Sequence, residues 1–481
     1  MRVAVSRAEI TVLILACIAT AIFLYVIGGY EPWITTDTGS YLHPGWPPEA
    51  WARARNPLFG WALAFVSKRD FTIVPPLQTL LYLLATALLY CALRTYGLSV
   101  RAAAAVTASL LISNLLLIWH NAVLPELAAA TFAILALAHI FWLAAGRNFA
   151  WHAILLGVTL GLSYMLRPTL LPAILLFPAL FAVLARLRGV NAVLAQSLLL
   201  LLASLTPFVV VSTLRWQSVG DFNIVSFGGF QMSGIAGLML TDEIADRLPP
   251  DLAPLGHKIV LLRTQAEARG DVLPTPLNSE GERSFISAAI GYYDIYARTY
   301  DNLLYGEILH LGRGQSWVAF NRQLLRLSLA TIFAAPSRYL AWVVGGTARS
   351  VGRLVVTNAP MMLTIIAIAI LYPVALWKRA SGLVRPLPHQ DIAVLVCLTT
   401  AYVVAAGALP VLVSFPARRY LDTTALFLPA LGFYALFSLV SELWEERDQH
   451  VKTAKAAKKG LFKKEAQVAS AGTELQRVVK L

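Results

Sequence analysis

The sequence has little charge and almost no cysteine. Only 14% of its 481 residues are Asp, Glu, Lys or Arg, whereas soluble domains carry about 25%. Hydrophobic residues make up 58% of the chain, and the mean hydropathy is +0.66. A soluble fold cannot hide that much apolar surface from water, so the composition indicates a membrane protein with many spans.

The sequence also lacks the motifs of familiar soluble enzymes. It contains no glycine-rich phosphate loop, no HExxH, no GxSxG and no paired-cysteine metal motif. The three cysteines, Cys17, Cys91 and Cys397, lie within apolar stretches. Their placement predicts neither a disulfide framework nor a structural zinc site.

The net charge of +13 would suit a nucleic-acid-binding protein, but the distribution of the charge argues against one. Much of the positive charge lies in short loops between apolar stretches, and another share lies in the C-terminal tail. This is the pattern of a membrane protein that follows the positive-inside rule. No nucleic-acid partner is therefore expected.

Ten apolar runs predict an all-α polytopic protein, because each is about long enough to cross ~30 Å of hydrocarbon as a helix. The first run, Thr11 to Gly29, follows Arg2 and Arg7 and has no convincing cleavage site, so it is predicted to be an uncleaved helix. The others are predicted at 72–93, 102–119, 122–144, 150–166, 168–185, 193–213, 358–377, 391–412 and 421–441.

Arginines in alternate loops set the predicted orientation. They occur in every second connection of the N-terminal half, at Arg94, Arg101, Arg147, Arg186 and Arg188. Loops rich in Lys and Arg face the cytoplasm. The loop 30–71 is therefore expected on the outer face of a bacterial inner membrane, in the periplasm.

One stretch, Thr331 to Thr347, decides between ten spans and eleven. It is broken by Pro336, Arg338 and the pair Gly345-Gly346, so its clean apolar run is short. Ten spans also keep Lys378, Arg379, Arg385 and the basic tail on the cytoplasmic side, whereas eleven would place them outside. We therefore expect this segment to lie on the outer face or dip into it.

The predicted spans divide the chain into four parts. These are an N-terminal module of seven spans (1–213), a periplasmic juxtamembrane cap (214–356), a C-terminal module of three spans (357–442) and a basic tail (443–481). Within the cap, two series recur at helical spacing: Phe285, Ala289, Tyr293, Tyr296, Tyr300 and Leu304, then Trp317, Phe320, Leu324, Ser328 and Phe333. They predict either amphipathic helices on the membrane surface or a core stripe. The tail is expected to contact anionic membrane lipids or simply to be solvated.

Asp37 is the first candidate for chemistry. It lies in the run Thr-Thr-Asp-Thr-Gly-Ser-Tyr, a few residues after the first span and on the predicted outer face. A carboxylate at this position can act as a general base if a pocket holds it. The alternative is a turn, in which Asp, Gly and Ser are common.

Other ionisable residues from distant parts of the chain share this side and depth of the membrane. They are Arg53 and Arg55 in the same loop, His120 just before the fourth span, Glu126 at its outer start, Arg167 at the outer end of the fifth, and Arg418 and Arg419 before the tenth. Arginine binds phosphate oxygens through two nitrogens at once, and a carboxylate near hydrocarbon is costly without a partner or a use. Headgroup contact and a favourable helix-start acid are the structural alternatives. The convergence suits a lipid-borne phosphate with a base nearby.

The layout resembles the GT-C superfamily of polyprenyl-phosphate-sugar-dependent glycosyltransferases. It is similar to the bacterial relatives of protein O-mannosyltransferases and of the lipid A aminoarabinose transferase. The matching segments are Asp37 with Tyr41, Arg55-Asn56-Pro57-Leu58, Pro125-Glu126, Gly161 to Pro168, Ala335 to Leu340, and Arg419-Tyr420-Leu421. The resemblance covers about residues 10 to 440. Each matching motif is short, and the resemblance depends on the order of the motifs along the chain. The chain departs from the family pattern in two ways. Its first outer loop has a single acid rather than the Asp-Glu pair of the eukaryotic mannosyltransferases, and the large C-terminal domain of oligosaccharyltransferases is missing.

The resemblance implies an inverting sugar transfer on the outer face of the membrane. Asp37 would be the base and Glu126 would orient the acceptor or hold a divalent cation, although no cofactor is certain and the metal is unknown. Arg55, Arg167, Arg418 and Arg419 would bind the donor phosphate, and Tyr41, Arg53, His120 and Tyr420 would position substrate. The donor would be a polyprenyl-phosphate-linked sugar, and the acceptor a lipid, a glycan or a protein hydroxyl.

Three other classes stay open from the sequence. A lipid or sugar transporter or flippase would use ionisable residues near the bilayer midplane. A membrane O-acyltransferase would use an intramembrane histidine, for which His139 and His152 are the candidates. A scaffold that has lost its activity would keep the fold alone. No motif names the sugar, the acceptor or the oligomeric state.

Overall fold

The computed structural model describes residues 5–35, 37–42, 44–66, 70–272, 293–380, 388–415 and 417–441. Within these ranges the regular elements are helices, joined by loops and one isolated β-bridge. The prediction of an all-α fold is confirmed for this part of the chain. The basic tail 443–481, Arg385, Phe285 and Ala289 lie outside the described residues, as do the side chains of Tyr293, Tyr296, Lys378 and Arg379.

The N-terminal module contains nine helices: α1 (Arg7–Gly28), α2 (Leu58–Val66), α3 (Val74–Tyr96), α4 (Val100–Leu111), α5 (Asn114–Trp119), α6 (Pro125–Ala144), α7 (Phe149–Leu166), α8 (Ala173–Leu187) and α9 (Val193–Val219). The cap contains α10 (Gly228–Met239), α11 (Asp242–Asp246), α12 (Ala253–Arg269), α13 (Tyr293–Asn302), α14 (Trp317–Ala334) and α15 (Pro336–Val356). The described C-terminal helices are α16 (Ala359–Ala380), α17 (His389–Val413), α18 (Arg418–Thr424) and α19 (Ala430–Ser441).

Eight helical segments in the described ranges are long and apolar enough to cross a membrane, or nine if the bent pair α14–α15 is one span. Exposed aliphatic side chains such as Val12, Val26 and Leu194 cover the outside of these helices, as expected where lipid replaces water. The chain is a membrane protein. Two of the ten predicted spans contain shorter apolar helices. In 358–377 it is the stretch Ala359–Leu371 of α16, and in 421–441 it is α19, Ala430–Ser441.

The last predicted span is not one continuous helix. Residues 421–424 belong to α18, a series of turns follows, and α19 begins at Ala430. Pro429 explains the break, because proline has no backbone N–H to donate to the preceding turn and fits best at the start of a helix. The short helix α18 contacts both a loop and a helix, because Arg419 donates to Asp37 in the first loop and Asp422 accepts from Trp119 of α5.

A second break separates α14 from α15. The two helices meet at an angle of 101° at Ala335-Pro336, where proline disfavours a helical conformation in the residue before it. The stretch from Thr331 to Thr347 is therefore bent, as the position of Pro336 indicated. Whether it crosses the membrane stays a prediction.

Two hydrophobic cores hold the molecule together. In the bundle core, α6 is central, with 78% of its apolar window buried, against 11% for α1. The cap has its own core, formed by α10, α12, α14 and α15 around Tyr300 and Trp342. Tyr300, Leu304, Phe320, Leu324 and Ser328 are all buried there, whereas Phe333 is exposed. Most of the described part of the helical stripes is therefore core.

Candidate active site

The first loop is tied to the start of α6 by hydrogen bonds. The Trp33 amide donates to the Asn121 carbonyl at 2.8 Å, and the Val123 amide donates back to the Trp33 carbonyl at 3.1 Å. The Thr38 hydroxyl adds a bond to the Val123 carbonyl at 3.1 Å. Because Glu126 follows this segment directly, these bonds bring the loop that carries the first candidate acid beside the second.

Asp37 lies at the start of a 3-10 turn and contacts two arginines. Its Oδ1 is 3.2 Å from Nη2 of Arg55, and its Oδ2 accepts a hydrogen bond from Nη1 of Arg419. The side chain is 29% exposed, so a ligand can still reach the carboxylate. Residues 382 positions apart in the chain thus form one ion-pair cluster.

Glu126 is the buried centre of this cluster. Its side chain is 1% exposed, and its Oε1 lies 2.7 Å from Nη2 of Arg167 and 3.7 Å from Nε of Arg419. Arg167 follows the last residue of α7, and Glu126 stands in the first turn of α6, two helices that pack along their length. Arg419 consequently bridges Asp37 and Glu126.

Aromatic rings support the guanidinium groups. The Cζ atoms of Arg167 and Arg419 lie 4.9 and 5.3 Å from the ring centre of Tyr420. The Cζ of Arg55 lies 4.6 Å from the ring centre of Phe227. Contacts of this kind stabilise a cation without neutralising it, so these arginines keep charge available for an anion.

The arginines dominate the electrostatics of the site. Burial raises the pKa of Asp37, but the charges of Arg419, Arg55 and Arg167 outweigh burial and hold that pKa below its usual value. Burial also raises the pKa of Tyr420, and the same three arginines again lower it below its usual value. Two acidic groups that respond alike indicate a positive local potential, which suits an anionic ligand.

A cavity of about 270 Å³ opens beside the cluster. Arg55 and Arg167 line it, together with Tyr41 and Tyr420. The apolar part of the wall comes from Leu166, Leu171, Val225, Phe227, Leu409, Pro410 and Val413. The cavity can therefore hold an amphiphile with an anionic group at the arginines.

Gln231 and Ser414 form a polar part of the wall that the sequence gave no reason to select. Oε1 of Gln231 accepts hydrogen bonds from the Tyr300 hydroxyl at 2.7 Å and the Ser414 hydroxyl at 2.8 Å. A Cβ at Gly234 would overlap the Tyr300 ring, so glycine there lets the ring approach α10. A lone glutamine in a glycine-rich segment carries no motif, which is why sequence analysis missed it.

Asp301 is a further acid that the sequence gave no reason to select. Burial raises its pKa, the charge of Arg419 opposes that shift and the charge of Asp37 adds to it, and the pKa stays above its usual value. Asp301 does not belong to the described lining of the cavity. Its pKa nevertheless responds to the charges of Arg419 and Asp37.

Three predicted site residues lie away from the cavity. Nε2 of His120 is 3.0 Å from the Gly29 carbonyl oxygen, where the buried ring fixes the end of α1. Arg53 is exposed. The Arg418 side chain is 63% exposed, with its Nε 3.8 Å from Oδ2 of Asp422. The structure brings together Asp37, Tyr41, Arg55, Glu126, Arg167, Arg419 and Tyr420, but not these three.

The site offers little to a metal ion. Among the described residues, no group of three or more His, Cys, Asp or Glu side chains could hold one. Asp37 pairs with Arg55 and Arg419, and Oε1 of Glu126 pairs with Arg167, so arginine already opposes the charge of both acids. The residues of this cluster do not fit a divalent cation.

Comparison with known proteins gives no further guide. No family model, no curated protein and no solved structure matches this chain. What the fold and the site define is a membrane protein with an arginine-rich, partly apolar cavity and a carboxylate beside it.

Proposed function

We propose that this chain is an inverting glycosyltransferase that moves a sugar from a polyprenyl-phosphate donor to a hydroxyl of a lipid, a glycan or a protein. The observation that carries the proposal is the position of Asp37, between Arg419 and Arg55, the second of which also lines the cavity. A lipid phosphate needs cations and an apolar wall, and an attacking hydroxyl needs a base. One end of the helix bundle supplies all three.

The reaction is a single displacement. The acceptor oxygen bonds to the anomeric carbon while the bond from that carbon to the phosphate oxygen breaks. Asp37 takes the hydroxyl proton, and the electron pair of the broken bond leaves with the polyprenyl phosphate. The anomeric centre is inverted because attack and departure occur on opposite faces of the sugar.

The arginines divide between two tasks. Arg55 and Arg167 line the cavity and would contact the donor phosphate, where charge gathers as the bond breaks. Arg419 touches both carboxylates and would act as a positioning residue. Glu126, at 1% exposure, would position Arg167 and Arg419 rather than touch the acceptor.

The resting ion pairs also imply an order of events. Asp37 is a weak base while Arg55 and Arg419 hold its pKa low. An incoming phosphate would compete with Asp37 for Arg55. Donor binding would therefore weaken the ion pair between Arg55 and Asp37 and raise the pKa of Asp37. The base would then become active mainly when the leaving group is in place.

The side of the membrane is also part of the proposal. The positive-inside pattern of the sequence supports an outer-face position for this end of the bundle, where polyprenyl-linked sugars would be used for envelope synthesis. Arg147 and Arg188 lie in loops, and Arg94, Arg101 and Arg186 lie in the terminal turns of the adjoining helices; none of the five lines the cavity. The bacterial inner membrane is the expected location.

The test is release of polyprenyl phosphate by the purified full-length protein. Short-chain polyprenyl-phosphate sugars would be mixed with a membrane-glycan extract, and wild type compared with Asp37→Asn. Loss of a general base lowers the rate by about 100-fold or more. Asp251→Asn is the matched control, because Asp251 is exposed and pairs with Arg326 at 2.8 Å in the cap.

Two results would count against the proposal. Equal release by wild type and Asp37→Asn would remove Asp37 as the base. Uptake of labelled lipid-linked sugar into proteoliposomes, without any transfer, would favour the transporter instead.

A further inference from the structure

The cavity that Arg55 and Arg167 line also has a polar wall, which includes Gln231 and Ser414 and which the sugar of the proposed donor would contact. We propose that this wall selects an uncharged monosaccharide and discriminates against amino sugars. The inference rests on the proposed donor class, a sugar linked through phosphate to a lipid. Within that class it names the chemical type of the sugar.

The first argument is charge. The charged residues in the described lining are Arg55 and Arg167, and no carboxylate is among them. The donor phosphate supplies negative charge for these two guanidinium groups. An ammonium group on the sugar would then enter a cavity whose described lining holds no carboxylate, and a charge without a partner in a partly apolar site is costly.

The nearby carboxylates do not remove this cost. Asp37 pairs with Arg55 and Arg419, and Glu126 pairs with Arg167. Asp301 lies outside the described lining. Each of the first two acids is thus paired with arginine, and a cationic sugar would have to compete with these guanidinium groups, Arg419 above all, to gain a partner.

The second argument is the kind of polar group that the wall presents. The neutral amides and hydroxyls that line the cavity belong to Asn56, Thr169, Asn223, Gln231 and Ser414. Such groups both donate and accept hydrogen bonds, as sugar hydroxyls do. The wall therefore matches an uncharged polyol.

The wall is also held in place. Gln231 is 9% exposed and accepts from Tyr300 and Ser414, while its own Nε2 donates to the Tyr305 hydroxyl at 3.4 Å. A side chain fixed on three sides cannot turn freely to suit a different ligand. Gln231 is thus the residue most able to set specificity.

The third argument is size. The cavity volume of about 270 Å³ lies just under the ~300 Å³ at which pockets for drug-sized ligands begin. One sugar ring with its phosphate is smaller than such a ligand, whereas an oligosaccharide is larger. The cavity is therefore matched to a monosaccharide donor.

The experiment is a binding comparison in detergent with the full-length protein. The probes are short-chain alkyl phosphates that carry glucose, mannose or galactose, and the same three compounds with one hydroxyl replaced by an amine. The work is done at about pH 6.5, below the usual pKa of an amine near 8, so that the amine is charged. We expect each neutral probe to bind at least ~10-fold more tightly than its amino counterpart.

Gln231→Glu makes the test sharper because it adds a carboxylate to the wall without changing its size. The ratio of affinities for neutral over amino probes should fall below about threefold or reverse, since the amine gains a charged partner. Gln315→Glu is the matched control: Gln315 is exposed in a cap loop, and the ratio should stay at the wild-type value. Melting midpoints of both variants establish that they are folded.

The outcomes separate this inference from the proposed function. Equal or tighter binding of the amino probes by wild type would overturn the inference and leave the transferase proposal intact. An unchanged ratio in folded Gln231→Glu would overturn the role of the wall. Neutral preference without sugar transfer would support the inference and defeat the transferase, and no binding of any sugar phosphate would defeat both.

Discussion

The two ends of the helix bundle use charge differently. At the end where α1 begins, Glu9 accepts from Arg94 Nε and from the Tyr90 hydroxyl, both at 2.8 Å. There too, Asp391 accepts from the Ser99 hydroxyl and from the Tyr434 hydroxyl at 3.0 Å. These contacts join neighbouring helices, and each acid has its own partners.

At the site end, three guanidinium groups surround two carboxylates. Arg419 is shared between Asp37 and Glu126, while Arg55 and Arg167 each contact one acid and also line the cavity. The excess positive charge at this end therefore lies beside the cavity and is not fully paired between helices. Matched charges at one end hold helices together, and unmatched charges at the other are available to a ligand.

The largest difference between the ends should appear when one acid is neutralised at each. Glu126→Gln leaves Arg167 and Arg419 without their shared buried partner, a change that costs about 3–5 kcal/mol for a broken buried pair. Because both arginines would shift, we expect turnover by the folded fraction to fall by about 100-fold. Sugar-transfer kinetics and detergent melting curves measure the two effects separately.

Glu9→Gln is the matched change at the other end. It should lower the melting midpoint, because Glu9 loses its ion pair with Arg94, but change turnover by only about twofold since the site is a full helix away. Equal losses of turnover in Glu9→Gln and Glu126→Gln would contradict the claim that only the charges at the site end serve the activity.

A smaller effect is expected from Arg419→Gln, whose main signature is a change in pH dependence. The charge of Arg419 lowers the pKa of Asp37, so removing it lets that pKa rise. A general base works only when ionised, and activity is lost as pH falls through its pKa. The acid limb of kcat/KM should therefore move to higher pH, with a loss of at least ~10-fold in rate at neutral pH.

Arg418→Gln provides the control, because it removes the same charge from the neighbouring position. Its side chain is 63% exposed, and surface changes of this kind alter rates by about twofold or less. If the acid limb moves equally in both variants, a general loss of positive charge would explain the shift, and Arg419 would have no special role.

This pair of arginines also shows how far the sequence can be taken. The apolar runs predicted most of the membrane helices, and the alternation of loops predicted that acids and arginines from distant segments share one side. Sequence alone could not rank Arg418 against Arg419. Their difference depends on the helical phase of α18 and on the break at Pro429, which the long apolar run 421–441 concealed.

Other parts of the site were out of reach for a different reason. Gln231, Tyr300 and Ser414 come from the cap and the C-terminal module and meet only after both have folded. Nothing local marks Gln231 or Ser414, which are 183 residues apart, and the helical spacing marked Tyr300 only as part of a stripe and not as part of a site. His120 illustrates the reverse case: its loop leads to Glu126, yet its ring points back to Gly29.

The smallest effect should come from His139→Ala. Nδ1 of His139 lies 3.1 Å from Nδ1 of His152, and both rings pack on Trp142. Along α6, His139 stands 13 residues after Glu126, which is about 20 Å at 1.5 Å per residue. That distance is too great for either histidine to act on a ligand in the arginine-lined cavity.

The His139→Ala variant should therefore transfer sugar within about twofold of the wild-type rate. The measurement is the same release of polyprenyl phosphate, run beside an assay for acyl transfer to a membrane glycan. A protein that loses acyl transfer in His139→Ala while Asp37→Asn keeps it would be a membrane acyltransferase. In that case the cluster around Asp37 would be a structural tie like that of Glu9, and the contrast between the two ends would disappear.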